Sequence, residues 1–312
     1  MADASPMAAE AAGLSRADTP KITRVVSPTI SVGQRFREIW LSRELLIYLV
    51  RSEIKVKYKN SVLGLIWSMV SPAMTLLIYF VVFQYIAKNG IPHFVIFLFS
   101  GLLIWNLFQL GVQTGTGVIV NNAGIVKKVS FPREILALAA VGSASVFFFF
   151  QSLVMILFLV LFHQAPALEY LPLIPLALLA VLLLASGLAI LLSSINVYLR
   201  DTQHLIEVVM TAWFWACPIV YSFQSQVASR LAKAHLTWLY FLNPMTPLVL
   251  SFERVLYANT TSVAANGAFV LPRHGMAWYA ALDGAVLVLG IAVFLLGLFV
   301  FGRLEGNFAE EL

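Results

Sequence analysis

The sequence predicts an all-α membrane protein with six transmembrane helices, an N-terminal amphipathic interfacial helix, and a re-entrant helical hairpin on the outer face before the last span. Three observations lead there. Of the 312 residues, 60% are hydrophobic and only 11% are charged, against about 25% charged in a typical soluble domain, and the mean hydropathy is +0.88. The apolar residues fall into runs of about 20, the length of helix that crosses roughly 30 Å of hydrocarbon. Basic residues gather at alternate ends of these runs, and Arg51, Lys55, Lys57 and Lys59 stand directly before the first. A Lys or Arg at the hydrocarbon centre costs roughly 2.5–3.5 kcal/mol, so such a cluster stays on the cytoplasmic side.

Residues 1–32 mix small, polar and proline residues without an apolar core of signal-peptide length, and read as a disordered cytoplasmic tail. Residues 33–61 set Phe36, Ile39, Trp40, Leu45, Leu46, Leu49 and Val50 among charges, the pattern of an amphipathic helix in the membrane interface. Arg51, Lys55 and Lys59 fall at i, i+4 and i+8 on one face of that helix. That face either meets anionic headgroups or is a plain solvated flank. The transmembrane domain occupies residues 62–303, with spans over 63–87, 94–120, 135–162, 171–197, 205–223 and 276–301, and residues 304–312 form a cytoplasmic tail.

A seventh apolar run, 236–258, holds Asn243, Pro244 and Pro247 in its middle and Glu253 with Arg254 near its end. As a continuous lipid-facing helix it would strand backbone polar groups. A helical hairpin within an outer-face region 224–275 fits better, with the asparagine and prolines at its turn and Glu253 and Arg254 facing water. Six crossings put 15 of the 20 Lys and Arg residues inside, and leave only Lys88, Arg230, Lys233, Arg254 and Arg273 outside. Both termini are therefore expected in the cytoplasm.

Several function classes find no material here. The single cysteine, Cys217, lies in an apolar run, so neither an intramolecular disulfide nor a multi-cysteine metal site can form, and it reads as an inert buried thiol. G-x-x-x-x-G-K-[ST], H-E-x-x-H and G-x-S-x-G are absent, and the five histidines are scattered. No catalytic residue, metal or bound cofactor is expected on this chain. The net charge of +5 follows topology and is not accompanied by any nucleic-acid motif. Asp283 and Glu207 are the few acidic residues at membrane depth, too little for an ion-coupling relay. Transport by such a chain needs energy from a partner ATPase, and a wide path needs a second copy.

Five blocks now matter together: RSEIKVKYKNSVLGLIW with Pro72, KKVSFPREILALA at 127–139, NVYLRD at 196–201, NPMTP at 243–247, and FAEE at 308–311. In this order around six spans they resemble the permease subunit of bacterial polysaccharide ABC exporters, a type 2 ABC transporter family whose members export lipid-linked O-antigen, teichoic acid, galactan or capsular polymer. The resemblance covers roughly residues 35–312. It implies a homodimer in the cytoplasmic (inner) membrane, bound to two copies of a nucleotide-binding ATPase subunit that holds the ATP and Mg. It also implies a coupling segment between spans two and three, and gate helices before span six.

The residues supply physical counterparts. The inside loop 121–134 is polar and basic, with Gly124 and Pro132 to break helices, so Asn121, Lys127, Lys128, Pro132 and Arg133 are the expected ATPase contact. The pattern alone would equally suit an ordinary positive-inside loop, and Arg200-Asp201 at the next inside turn either touch the partner or pair locally. Asn243, Pro244 and Pro247 mark the expected outer gate, with a static cap as the alternative. Arg51, Lys55, Lys57 and Lys59 would give charge-assisted contacts to the diphosphate head of a lipid-linked glycan. Sugar rings stack on aromatic faces, and Trp67, Tyr79, Trp213 and Tyr221 share spans with Pro72 or Pro218, so they are the expected channel-lining aromatics. The resemblance thus points to the permease of an ATP-driven exporter of lipid-linked polysaccharide. The alternatives are a drug or small-lipid exporter of the same superfamily, or a membrane glycan-modifying enzyme.

Overall fold

The computed structural model describes residues 32–57, 59, 67–88, 90–228, 236–257, 267 and 269–312, and every secondary-structure element among them is helical. Of the tail expected to be disordered, 1–32, residues 1–31 lie outside the described residues and Val32 opens a helix; most of the junction at 60–66 and the side chain of Trp67 also lie outside them.

The interfacial segment forms two helices, α1 (Val32–Leu41) and α2 (Arg43–Lys57). They meet at Ser42 with little loss of the ladder, because Ser42 N donates to Glu38 O at 3.0 Å and Leu46 N to Ser42 O at 3.1 Å. No residue of α2 is fully buried, and α1 exposes Phe36 and Trp40, a distribution suited to a headgroup layer and not to bulk water. Helix α3 (Trp67–Phe80) contains Pro72 and widens into a π-helix over Val81–Ile86. There Ala87 N reaches back five residues to Val82 O at 2.8 Å.

Four long helices follow the expected spans: α4 (Phe94–Asn121), α6 (Glu134–Leu161), α7 (Leu173–Tyr198) and α11 (Met276–Leu304), with the short α5 (Ala123–Val126) between α4 and α6. All four are long and apolar enough to cross a membrane. In α4, 78% of the apolar window is buried inside the protein, against 28% in α6 and α11. Helix α4 is therefore the hub, and the other two turn most of their surface outward. Apolar side chains gain little by leaving lipid for one another, so close contact between small residues has to hold such helices together. The α7–α11 pair shows this: a Cβ on Gly187 would fall 2.5 Å from Phe294 N, and one on Gly297 would fall 2.7 Å from Gly187 O.

The run expected as the fifth span behaves differently. Helix α8 (Thr202–Trp215) stops after 14 residues, about 21 Å at 1.5 Å per residue. The chain then bends through 216–222 before a short π-helix at Phe223–Val227. Pro218 explains the stop, since it lacks an N–H and disfavours helical geometry at Cys217.

The next run forms α9 (Thr237–Phe241) and α10 (Met245–Leu256), joined by a turn. Asn243 and Pro244 occupy that turn. Pro247 does not; it is the third residue of α10 and is buried, in the first turn where backbone N–H groups have no intrahelical acceptor anyway. Glu253 does not face water. Helix α10 packs against α4 and α7, and Leu248, Val249, Phe252 and Val255 are at most 1% exposed. Protein surrounds the helix on nearly every side, so Glu253 is fully buried with it, beside the space left by Gly101. Arg254 is partly buried, its guanidinium 4.5 Å over the Tyr170 ring. The chain ends with α12 (Phe308–Glu311).

Candidate functional site

At the end expected to face the cytoplasm, segments distant in sequence gather around one guanidinium. Arg35 of α1 is only 7% exposed, and it forms ion pairs with Glu134 at the start of α6 and with Glu305 just after α11, the latter at 2.5 Å. Burial alone would lower the Arg35 pKa, but its bond to Glu305 and the charge of Glu134 more than reverse this and raise it. Arg133 donates to the Glu305 carbonyl at 2.8 Å and lies 5.9 Å over the Phe308 ring. The Tyr198 hydroxyl donates to the Leu304 carbonyl at 2.8 Å. Phe308, fully buried, packs edge-on between Tyr198 and Phe301 with centroids 6.2 and 5.3 Å away.

This node ties together the exit of the 121–134 loop, the end of α7, the end of α11 and α1. The neighbouring surface expected to meet the ATPase is largely exposed: Asn121, Lys127 and Lys128 face solvent, Pro132 and Arg133 are partly buried, and Ile125 and Val129 are 45% and 53% exposed. Apolar side chains between basic ones on a solvent-facing loop are the composition of a contact patch. Arg200 and Asp201 are exposed at the turn before α8.

Sequence reasoning missed Arg35, Glu305 and Gly302. A Cβ on Gly302 would fall 2.8 Å from Arg35 Cζ, so glycine opens the slot that the guanidinium fills. Gly302→Val is expected to expel Arg35 and reproduce the loss of Arg35 itself. Thermal unfolding of the purified variant, compared with Gly302→Ala, checks this, and two unchanged midpoints would mean the slot is not needed.

Helix α2 docks on α6 through Val50, Glu53 and Lys57. The Lys57 ammonium is 4.5 Å from the Phe147 ring centroid, and a Cβ on Gly142 would meet Val50 at 2.7 Å. Burial pushes the Glu53 carboxyl up, while Ser143 and the Lys57 charge pull it back; burial pushes Lys57 down against the pull of Glu53. Arg51, Lys55 and Lys59 are exposed and have no ion-pair partner among the described residues.

At the opposite end, Asn243 pins the α9–α10 turn to the broken end of α8. Its Oδ1 accepts from Trp213 Nε1 at 2.7 Å and from Met245 N at 3.0 Å. Its Nδ2 donates to Ala216 O and Cys217 Sγ, both at 3.3 Å. The Tyr221 hydroxyl donates to Trp215 O at 3.1 Å and meets the Tyr240 hydroxyl at 2.9 Å, so Tyr240 is the donor in that pair. Of the aromatics expected along a channel, Trp213 and Tyr221 therefore hold α8 to the outer helices, and Tyr79 stacks on Phe214 at 5.7 Å. Trp215, not singled out from sequence, is 49% exposed.

The chain matches the family model described as "ABC-2 type transporter" over residues 44–257. It is 28% identical over 269 residues to the O-antigen export system permease protein RfbA of Klebsiella pneumoniae, covering 86% of this chain and 95% of that one. It is 32% identical over 224 residues to the protein of the same name from Myxococcus xanthus, covering 71% and 83%. Long apolar helices with a charged node at one end define a multi-pass membrane protein. The chain belongs to the ABC-2 type transporter family, as the membrane permease of a transporter.

Proposed function

We propose that this chain is the channel-forming permease of an ATP-driven exporter of lipid-linked polysaccharide, working as a homodimer with two ATPase subunits in the cytoplasmic membrane. The single observation that carries the reading is similarity over 86% of the chain to a permease named for O-antigen export. In this reading α3 and α8 complete six crossings, the α9–α10 pair is a re-entrant gate on the outer face, and both termini are cytoplasmic. Two features support it. Helices α3 and α8 expose apolar faces, including Met74, Leu77, Ile78, Leu205 and Val208, where a second copy and a shared path fit. The coupling segment leads into the Arg35 node, so movement of an ATPase against Lys127 and Lys128 reaches α1, α7 and α11 together.

Co-reconstitution with its partner ATPase tests the reading: ATP-dependent delivery of a lipid-linked glycan supports it, and transport of drugs or small lipids without glycan overturns it. The basic junction divides within the same assay. Replacing Arg51, Lys55 and Lys59 with Gln is expected to cut glycan delivery without affecting insertion, because these cations are free to meet a diphosphate. Lys57→Gln should instead loosen α2 from α6 and lower the thermal midpoint. Since the Glu53 carboxyl is raised by burial, its contribution to that docking is present on the acid side and is lost as pH rises through its raised value. Glu53→Gln should flatten this dependence.

A further inference from the structure

Beside the Asn243 lock, the outer end of the protomer has a cleft of about 450 Å³, within the range of about 300–1,000 Å³ usual for small-molecule sites. Its walls include Phe223, Trp238, Phe241 and Trp278, with Gln224 and His274 set among them. His274 stacks on Trp278 at 4.4 Å, and the other lining rings meet at steep angles. Phe241 meets Trp278 at 89° with centroids 5.6 Å apart, and Phe223 meets Phe241 at 71° and 5.3 Å. Rings at right angles form a floor and a side, which leaves faces open to an occupant. Trp238 is 62% exposed.

We propose that this cleft binds sugar rings of the glycan as it leaves the protomer; the proposal rests on the export reading above. Among the described residues the lining contains no Lys, Arg, Asp or Glu, so a phospholipid headgroup would find no countercharge among them. An amide and an imidazole among the rings suit hydroxyl groups, whereas an acyl chain would leave them without partners. Pyranose rings combine apolar C–H faces with such hydroxyls, and aromatic faces take the former. The cleft is also continuous with the lock. Phe223 stacks on Tyr240 at 4.9 Å, and Tyr240 bonds Tyr221 at the end of α8. An occupant against Phe223 and Phe241 therefore presses on the helices that the reading assigns to the gate.

The test uses the permease with its ATPase in lipid nanodiscs and, as probe, the strain's own surface polymer freed of lipid by mild acid. The expected result is a saturable change in tryptophan emission whose apparent affinity is lowered about tenfold in Trp238→Ala/Trp278→Ala, the equivalent of two stacking contacts. Gln224→Ala, at an exposed position, should weaken binding without affecting folding, and Trp278→Phe should recover most of it. In the lipid arm, brominated phosphatidylcholine quenches tryptophans that it touches. Quenching of Trp238 or Trp278 that the polymer does not relieve would make the cleft a lipid site and overturn the proposal, as would the absence of any saturable change. Glycan delivery by the wild-type complex is measured in parallel. Delivery without polymer binding sinks the cleft alone, and no glycan delivery sinks the export reading with it.

Discussion

Arg35→Ala is expected to abolish export and to lower stability by about 3–5 kcal/mol, the usual effect of removing one partner from a buried ion pair. The cost follows from burial. Glu134 is 1% exposed, so without the guanidinium it keeps a charge, or takes up a proton, with no water to solvate it. Glu305 loses its partner as well. Arg35→Lys retains the charge but gives up the planar fork that reaches two carboxylates at once, and should fold with reduced export. The informative variant replaces the whole node: Arg35→Met with Glu134→Leu and Glu305→Gln. Removing a buried charge cluster completely is often neutral for stability, so the thermal midpoint should return close to wild type. Glycan delivered per ATP hydrolysed should stay low, because the side-chain tie between α1, the start of α6 and the end of α11 is then gone and only the Arg133 bond to the Glu305 carbonyl remains. Normal export by the triple variant would reduce the node to a structural staple.

The four long helices were legible because hydropathy reports directly what lipid requires. The stop in α8 was less so: the run 205–223 stays apolar across Pro218, and a hydropathy window does not register a missing N–H. Glu253 misled in the other direction. A charge near the end of a proline-interrupted run suggests water, yet the groove between α4 and α7 decides its burial, and no local pattern describes a groove. At the Arg35 node the blocks were visible, since Arg133, Glu134, Tyr198 and Phe308 all lie in the segments that carried the resemblance. That they meet was not visible. Arg35 reaches partners 99 and 270 positions away, and a single cation among many in an amphipathic helix gives no sign of which one turns inward.

At the end opposite the Arg35 node, Asn243→Leu is expected to detach the α9–α10 turn from α8. Leucine matches the shape of asparagine but returns none of its four hydrogen bonds, and it leaves the Trp213 indole N–H and the Met245 N–H without their acceptor. Each unsatisfied group costs about 1–3 kcal/mol where water cannot reach it. The loss falls on the turn, because all four partners lie either at the end of α8 or at the first residue of α10. Asn243→Asp separates the contributions: it keeps the acceptor for Trp213 and Met245 but drops both donors. If the outer helices are a gate, the leucine variant should let a normally excluded dye cross proteoliposomes in the absence of ATP, and the aspartate variant should leak less. A static cap behaves otherwise, with a lower thermal midpoint but no leak and unchanged export. The two outcomes differ because a gate must be held shut by bonds that can break during transport, and those of Asn243 span the joint between a helix that ends early and one that begins beside it.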